Sequence, residues 1–366
     1  MAEQEYDAAF LLELEKKLNN RLEIENSIGN QEKSLTNLLR TVSIDNSITT
    51  EKDRITHLVH LFTKPRLNLS RPNIIMNRML AKLLKTADGV EKYVRLALDP
   101  KLSFKNKGNS RYQQNREYIH SKLINNHSPF IPILTNGLLT ISGHPDPVME
   151  AYVSKEGVLK EQIAYGDGTD RILGAMQMDV LFKNIKGESI WLLFDTWLKY
   201  IALVRIGRIL PYPKYILARI IDYQTGIWSI ALDDDRTTIK HLSHLIAFPE
   251  ALNKGRLYDK GEDPKRTEDT NLNVRFRVLG VEYDDPILLF EFNKEVAKFI
   301  PGLRGYLKGD ITGSGYVNIP PSVQHRFQYE SIPFIDLKNG KLLRLVHESN
   351  VKYIVGDYEE VLGVQV

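Results

Sequence analysis

The chain has 366 residues and no cysteine. Disulfide bonds, cysteine-based zinc or iron–sulfur sites and a cysteine nucleophile are therefore excluded. Long apolar runs are also missing, because three charged residues interrupt the most hydrophobic stretch, Ile190–Ile206, and a membrane-spanning helix needs about 20 apolar residues. The first residues are acidic with no apolar core after them, so we expect no signal peptide. The composition predicts a soluble protein without a membrane-spanning segment.

Common catalytic signatures are absent as well. The sequence contains no Gly-x-Ser-x-Gly, Gly-x-x-x-x-Gly-Lys or Gly-x-Gly-x-x-Gly pattern, so the usual acyl-transfer and nucleotide-binding motifs are missing. Pro145-Asp146 matches the start of a metal-dependent nuclease motif, but the strands that follow do not supply its acidic-x-Lys triplet, and Asp336-Leu337-Lys338, far downstream, matches only by its letters. A hydrolase with Asp146 in a metal site is kept as a third hypothesis.

Histidine and aspartate clusters give only weak metal signals. His57 and His60 are expected on one helix face without a third ligand, and His241 and His244 on opposite faces of a strand. Asp233–Asp235 could hold a cation, but acidic residues at a hairpin corner are usually solvated. We therefore predict no catalytic residues, no metal site and no cofactor.

The central stretch, Gly174–Tyr223, is predicted to form a strand, a helix and a second strand. Apolar residues alternate from Met176 to Phe182, which is the period of a half-buried strand. Over Ile190–Val204 they follow helical spacing, and Asp195 and Lys199 form an i,i+4 pair. Gly207 is expected to end this helix. The almost unbroken apolar run Tyr215–Asp222 is predicted as a strand that forms a hairpin with Ile227–Leu232.

The flanking regions differ in pattern. Residues 1–128 are predicted to be helical. A long first helix carries Leu11, Leu14, Leu18 and Leu22 at a spacing of three or four residues. Shorter helices are predicted at Leu35–Val42, Asp53–Phe62, Asn73–Leu84 and Val90–Leu98. Downstream we predict strands at Thr238–Phe248 and Asn271–Leu279 and a helix begun by Asp285-Pro286 that runs to about Phe299. Strands are also expected at Ile332–Asp336, Leu342–Val346, Val351–Val355 and Glu359–Val366.

One part of the N-terminal half is strongly basic. Lys64–Lys122 contains fourteen lysines and arginines against four acidic residues, a net charge of +10, whereas the whole chain has +3. Lysine and arginine clusters supply sequence-independent affinity for nucleic acid, yet the segment has few aromatic residues for base stacking. A nucleic-acid-binding protein that uses residues 64–122 is the alternative functional hypothesis; a solvated or protein-facing basic surface is the simpler one.

Several runs of sequence resemble structural virion proteins of contractile-tailed bacteriophages. The resemblance covers about residues 135–300 and concerns the composition and order of the runs, not a catalytic signature. The runs are Gly143–Pro147, Tyr152–Gly157, Lys160–Gln162, Phe182–Gly187, Tyr212–Tyr215, Ile221–Tyr223, Phe248–Ala251, Gly280–Pro286 and Glu291–Asn293. The order of elements is similar to that of tail-tube proteins, in which subunits form six-fold rings and pool their sheets into an inner β-barrel.

The resemblance implies an α+β chain in three parts. These are a helical domain (1–128), a tail-tube-like β-sandwich or barrel with one packed helix (129–300) and a small β-rich segment (301–366). Because both ends exceed a minimal tube subunit, it implies a non-enzymatic, specialised ring at the baseplate or tube end. Expected partners are copies of itself in a hexameric ring, other tail or baseplate proteins and passing DNA. The expected location is the virion tail, after assembly in the host cytoplasm.

Eight aromatic residues are predicted to build the core and the assembly contacts of such a ring. A buried aromatic side chain contributes a large apolar area, so these residues are expected to dominate the packing. They are Trp191, Phe194, Trp197, Tyr215, Trp228, Phe276, Tyr283 and Phe292.

Overall fold

A computed structural model describes residues 57–85, 87–104, 117–146, 151–166, 172–255, 271–327 and 331–351. Its centre is a curled, six-stranded antiparallel sheet that forms half a barrel. Its strands are β1 His57–Phe62, β2 Leu138–Ser142, β5 Ile172–Phe182, β6 Thr225–Leu232, β7 Ile239–Leu252 and β8 Leu272–Tyr283. Their order across the sheet is β1-β6-β7-β8-β5-β2, so β1 and β2 are the two edges.

Two smaller sheets lie outside this centre. The strands β3 (Ala151–Val153) and β4 (Ala164–Gly166) pair only with each other. Near the C-terminus β9 (Tyr316–Asn318), β10 (Ile332–Asp336) and β11 (Lys341–His347) form a three-stranded sheet. The predicted α+β class is therefore confirmed as a mixture of helices with antiparallel sheets.

The α-helices are mostly short. They are α1 Arg71–Ile75, α2 Val90–Leu98, α3 Pro132–Gly137, α4 Ser189–Arg205, α5 Pro213–Leu217 and α6 Pro286–Phe299, with 3₁₀ turns at Arg78–Leu84, Pro100–Ser103, Pro301–Leu303 and Pro321–Phe327. Among the described helices, none is both long and apolar enough to cross a bilayer.

Helix α4 packs on one face of the sheet, where it forms the larger core. Phe194 lies 5.2 Å from Phe182 and 5.8 Å from Phe276, measured between ring centroids. Trp197 is fully buried, and its indole Nε1 donates to the carbonyl of Tyr223 at 2.9 Å. The helix ends as predicted, at a left-handed Gly207 (φ +73°) whose N–H donates to the carbonyl of Val204.

A second core lies at the β6–β7 end of the sheet. There α6 and the small C-terminal sheet bury Trp228 and Phe292, whose rings meet edge to face at 5.3 Å. Asp285 caps α6 by accepting the N–H of Ile287 at 2.9 Å, which confirms the predicted start of this helix. The predicted helix Val90–Leu98 and the strands within 238–248, 271–279, 332–336 and 342–346 are also confirmed.

Two predicted elements are wrong, and both are short apolar runs. Asp53–Phe62 is predicted as a helix, but its described part, His57–Phe62, is an edge strand paired with β6. Tyr215–Asp222 is predicted as a strand, but Pro213 begins the short helix α5 there, since its fixed φ suits a first helical turn. Consequently β6 forms its hairpin with β7, through the Asp233–Asp235 corner.

Other predictions change in detail or fall outside the described residues. The predicted helix Asn73–Leu84 is divided between α1 and a 3₁₀ turn, with the buried Asn77 between them. The predicted helices within residues 1–56 and the strands Val351–Val355 and Glu359–Val366 lie outside the described residues, apart from Val351 itself. The three-part domain division stays a prediction; β1 lies in the same sheet as strands from 138 to 283.

Candidate assembly surfaces

The curled sheet leaves two strand edges open. Among the described strands, β1 pairs only with β6, and β2 pairs only with β5. A single bridge from Thr63 to Phe130 covers the end of the β1 edge, whereas Leu139, at the register shift near the start of β2, is 47% exposed. Unpaired edges expose backbone N–H and C=O groups that another strand can use.

The hairpin of β3 and β4, here called the arm (residues 151–166), has an exposed apolar surface. Its tip contains Val158 and Leu159, which are 98% and 87% exposed. Tyr152 and Tyr165 pair across the two strands at 5.0 Å between ring centroids. Ser154 N donates to the carbonyl of Ile163 at 2.9 Å and fixes the hairpin register. The arm is thus ordered by its own contacts while its apolar side chains remain uncovered.

A short segment before the arm folds back onto the sheet. In this segment, Gly143–Asp146, Pro145 accepts a hydrogen bond from the Tyr283 hydroxyl at 2.5 Å. His144 lies 6.1 Å from His60 between ring centroids, and His60 shares a 2.8 Å hydrogen bond with Ser229. Burial, and then the neighbouring His144, lower the pKa of His60 to about 4. Burial also lowers the pKa of His144, against the opposing effect of Asp146. Both rings are therefore neutral near pH 7.

The sheet surface opposite α4 carries charged side chains on β5, β7 and β8. Arg275 binds Asp179 at 3.2 Å, and Arg277 binds Glu250 at 2.5 Å. The buried faces of the same strands hold Val180 and Phe276, as the alternating patterns of Met176–Phe182 and Asn271–Leu279 predict. This polar face therefore contains charges of both signs.

Asp195 on α4 forms the main buried ionic site. Its carboxylate is 1% exposed and accepts from Lys199 at 2.7 Å, from Lys82 at 3.1 Å and also from Lys254. Burial alone would raise the pKa of Asp195, but the hydrogen bonds from the three lysines outweigh it and lower the pKa. The predicted Asp195–Lys199 pair is confirmed. Sequence reasoning missed Lys82 and Lys254, which are 113 and 59 residues away.

A second buried polar group, which the sequence also did not reveal, ties residues 66–101 to the loop after α4. Asp99 accepts the Tyr212 hydroxyl at 2.7 Å and the Leu69 N–H at 2.9 Å. Tyr200 donates to Asp222 and accepts the Asn68 N–H at 3.0 Å. Burial raises the pKa of Asp99 to about 7. These contacts fix the position of the N-terminal segment against the helix.

Many charges of the basic segment 64–122 are used inside the protein. Lys64 is buried and donates to the carbonyl of Asn125 at 2.9 Å; burial lowers its pKa to about 7. The buried Arg95 binds both carboxylate oxygens of Glu117. Lys85 and Lys92 form ion pairs with nearby acids. Lys105, Lys107, Arg111 and Arg116 lie outside the described residues. The described contacts pair several of these charges within the protein, and none of these contacts identifies a phosphate-binding surface.

The structure separates the histidines and aspartates that could have formed a metal site. His57 and His60 lie on a strand, so the predicted shared helix face does not exist. His241 binds Asp284 at 3.0 Å, while His244 stacks on Trp228 at 3.9 Å. Asp235 accepts four hydrogen bonds from Thr237 and Thr238, which lower its pKa although its partial burial opposes this. Within the described residues, no group of three potential ligands could hold a metal ion.

The eight predicted aromatic residues occupy different environments. Trp191 is partly buried, with the ammonium groups of Lys82 and Lys254 over its ring at 5.3 and 5.9 Å. Tyr283 is 36% exposed and holds the segment before the arm. The other six are buried: Phe194, Trp197, Tyr215, Trp228, Phe276 and Phe292. Their role in assembly stays a prediction.

Comparison with known proteins identifies the family. The family model described as "Putative phage tail tube protein" matches residues 4–359, nearly the whole chain. The chain belongs to this phage tail tube family. The predicted relationship to structural proteins of phage tails is therefore confirmed, and a tail tube family is a structural one.

Solved structures with weak similarity to this tail tube family member come from contractile injection systems. The anti-feeding prophage tube-terminating cap is 12% identical over 43% of this chain and 83% of its own, with a TM-score of 0.27. The sheath/tube terminator of the PVC system is 9% identical over 42% and 86%, with a TM-score of 0.24. A chain of the PVC sheath–tube complex is 12% identical over 49% and 99%, with a TM-score of 0.27. No curated protein matches the sequence.

Proposed function

We propose that the protein is a non-enzymatic subunit of a hexameric ring in a contractile phage tail. The observation that carries this proposal is the half-barrel sheet with its two open edges, β1 and β2. A closed barrel has no edges, whereas half of one leaves two rows of unpaired backbone groups. Copies related by rotation would bring the β1 edge of one subunit next to the β2 edge of its neighbour and close the ring.

The arm supplies a second contact in this proposal. Its apolar tip is almost fully exposed in the isolated chain, and burial of such residues is the main source of free energy in stable interfaces. A short, self-paired hairpin can present this tip without first having to fold. In the assembled ring the tip would pack on a neighbouring subunit or on the next ring.

The position at the baseplate or tube end belongs to the same proposal. It is supported by the extra elements that surround the sheet, which are the segment 63–104 and the small sheet β9–β11. Such additions provide surface for other tail proteins beyond the contacts between identical subunits. The polar face with Asp179 and Arg275 would then line the channel through which DNA passes.

A single charge placed on the open edge tests the closure of the ring. Leu139→Lys adds a charge to the edge strand β2 at its register shift, and an edge lysine opposes strand pairing between chains. The matched control is Val317→Lys, at an exposed valine on the small C-terminal sheet. In electron micrographs of the purified chains, we expect rings for the wild type and the control and dispersed subunits for Leu139→Lys. Rings of unchanged yield in the Leu139→Lys variant would contradict closure through β2.

A further inference from the structure

Two segments of the chain form a continuous exposed surface beside the sheet. Residues 70–79 contain α1, and residues 205–221 contain the end of α4 and α5. They are joined by side-chain amides: Asn73 Nδ2 donates to the carbonyl of Leu210 at 3.2 Å, and Asn77 Nδ2 to that of Arg208 at 3.4 Å. We call residues 70–79 and 205–221 the basic apolar surface.

This surface is apolar to a degree that is unusual for exposed residues. Met76 and Leu217 are each 85% exposed, and Leu210 is 65% exposed. All six residues from Ile216 to Ile221 are exposed, and four of them are large and apolar; the other two are Ala218 and Arg219. Contiguous exposed apolar residues of this kind mark interaction sites in soluble proteins.

Its charge has one sign only. The two segments contain no aspartate or glutamate, and all of their basic side chains are exposed. None of these side chains forms an ion pair within the part of the chain that the structure describes. They are Arg71, Arg78, Arg205, Arg208, Lys214 and Arg219. A suitable ligand must therefore combine an apolar stripe with excess negative charge.

Residues 3–25 of this chain have that combination. They contain seven acidic and three basic residues, a net charge of −4. Leu11, Leu14, Leu18 and Leu22 follow helical spacing, so a helix over them would align them in one apolar stripe on a segment whose net charge is negative. The segment itself lies outside the described residues.

Other parts of the chain fit the basic apolar surface less well. The arm has an apolar tip, but in residues 154–163 Lys155 and Lys160 balance Glu156 and Glu161. Residues 352–366 carry a net charge of only −2, from one lysine and three acids. Charge complementarity therefore favours residues 3–25.

We propose that residues 3–25 bind the basic apolar surface as an acidic amphipathic segment. The leucine stripe covers Met76, Leu210 and Leu217, and the carboxylates face the surrounding arginines and Lys214. The intervening residues 26–56 are numerous enough to span about 30 Å even as a random coil. The segment can thus reach the surface of its own copy or of a neighbouring one. This contact does not depend on ring closure through the sheet edges.

Because the chain lacks cysteine, cross-linking can test this contact in the full-length protein. Leu18→Cys is combined with Leu217→Cys, and a short bismaleimide cross-linker is added. The control combines Leu18→Cys with Val158→Cys, at the exposed tip of the arm. We expect a cross-link within or between chains for the Leu217 pair and only background for the Val158 pair. Equal yields from the two pairs would overturn the proposal.

Charge reversal tests the chemistry of the contact. In the Leu18–Leu217 pair, Arg208→Glu with Lys214→Glu is expected to reduce the yield several-fold, because it removes two cations and adds two anions. Lys155→Glu with Lys160→Glu on the arm makes the same change in net charge and should leave the yield unchanged. An equal reduction by both double variants would contradict binding at this surface. Efficient cross-linking by Leu217→Cys alone would show that a second copy, and not residues 3–25, covers it.

Discussion

Two regions of the molecule place their apolar residues in opposite environments. One region is the six-stranded sheet together with α4, and the other is the arm. In the first, which we call the body, Phe182, Phe194 and Phe276 are completely buried against one another. In the arm, Val158 and Leu159 face solvent although the hairpin is well paired. Burial within the chain stabilises the body, whereas the arm can gain the same free energy only from another chain. The difference predicts that variants in the body change folding and that variants in the arm change assembly.

The largest effect is expected in the centre of the body. Trp197→Ala removes a fully buried ring and its 2.9 Å hydrogen bond to the carbonyl of Tyr223. The free energy of unfolding should fall by about 3–5 kcal/mol, because a cavity remains that the packed neighbours cannot fill. Chemical denaturation followed by circular dichroism measures this loss. An unchanged denaturation midpoint would contradict the burial of Trp197.

The buried ionic site of the body should rank next. Asp195→Ala leaves three ammonium groups without their carboxylate; since Lys82, Lys199 and Lys254 are each 25–38% exposed, water can compensate in part. We expect a loss of about 2–3 kcal/mol in the free energy of unfolding. The control Asp179→Ala breaks an exposed pair with Arg275 and should cost less than about 1 kcal/mol. Similar losses in the two variants would show that the buried carboxylate of Asp195 stabilises the fold no more than an exposed ion pair does.

The pH dependence of the Asp195 contribution has a defined sign. The folded-state pKa of Asp195 is lowered by its lysines, so its contribution is fully present above the unfolded pKa and is lost as the pH falls through the lower folded pKa. The difference in unfolding free energy between wild type and Asp195→Ala should therefore shrink below about pH 4. A constant difference down to the lowest accessible pH would count against the lysine contacts.

The junction between body and arm should respond to mild acid. The pKa of His60 is about 4 in the folded chain and 6.5 in the unfolded one, so in this range the unfolded chain binds more protons. The stability that His60 contributes is thus lost as the pH falls from 6.5 to 4, by about 2–3 kcal/mol. In His60→Gln this part of the pH dependence should disappear, while the part due to His244, whose pKa is also about 4, remains.

Denaturation midpoints between pH 4 and 7 measure this difference. The groups facing His60 are His144 and Ser229, and Asp146 and Tyr283 lie in the same cluster. The control is His120→Gln, at an exposed histidine outside this cluster. A pH profile of His60→Gln that coincides with that of the control would contradict burial of His60 beneath the segment Gly143–Asp146.

The smallest effect on folding is expected at the arm. Val158→Ser with Leu159→Ser should change the free energy of unfolding by no more than about 0.5 kcal/mol, because neither side chain is buried. The same double variant should nevertheless reduce the yield of rings or stacked rings in electron micrographs. A normal yield of assembled particles would remove the arm from the proposed interface.

The sequence predicts the parts of this fold that have long, regular patterns. Helix α4, helix α6 and strand β8 each contain enough apolar repeats to distinguish a period of 3.6 residues from a period of two. His57–Phe62 and Tyr215–Asp222 are too short for that distinction, and their structures depend on pairing with β6 and on Pro213. Local pattern also cannot show which apolar residues stay exposed, as Val158 and Leu217 do.

The same limit applies to the candidate surfaces. Asp195–Lys199 is visible as an i,i+4 pair, but Lys82 and Lys254 reach the carboxylate only through the tertiary fold. Similarly, the open edges become visible only with the strand order, which places β1 and β2 at opposite sides of the sheet. The family relationship was predictable because it depends on the order of the sequence runs, and the family model matches nearly the whole chain.

The central claim is that the half-barrel is completed by copies of the same chain. Native mass spectrometry of the full-length protein over a range of concentrations tests it most directly. We expect one closed species with the mass of a hexamer, and its replacement by monomer in Leu139→Lys. A wild-type protein that remains monomeric at every concentration would contradict the account.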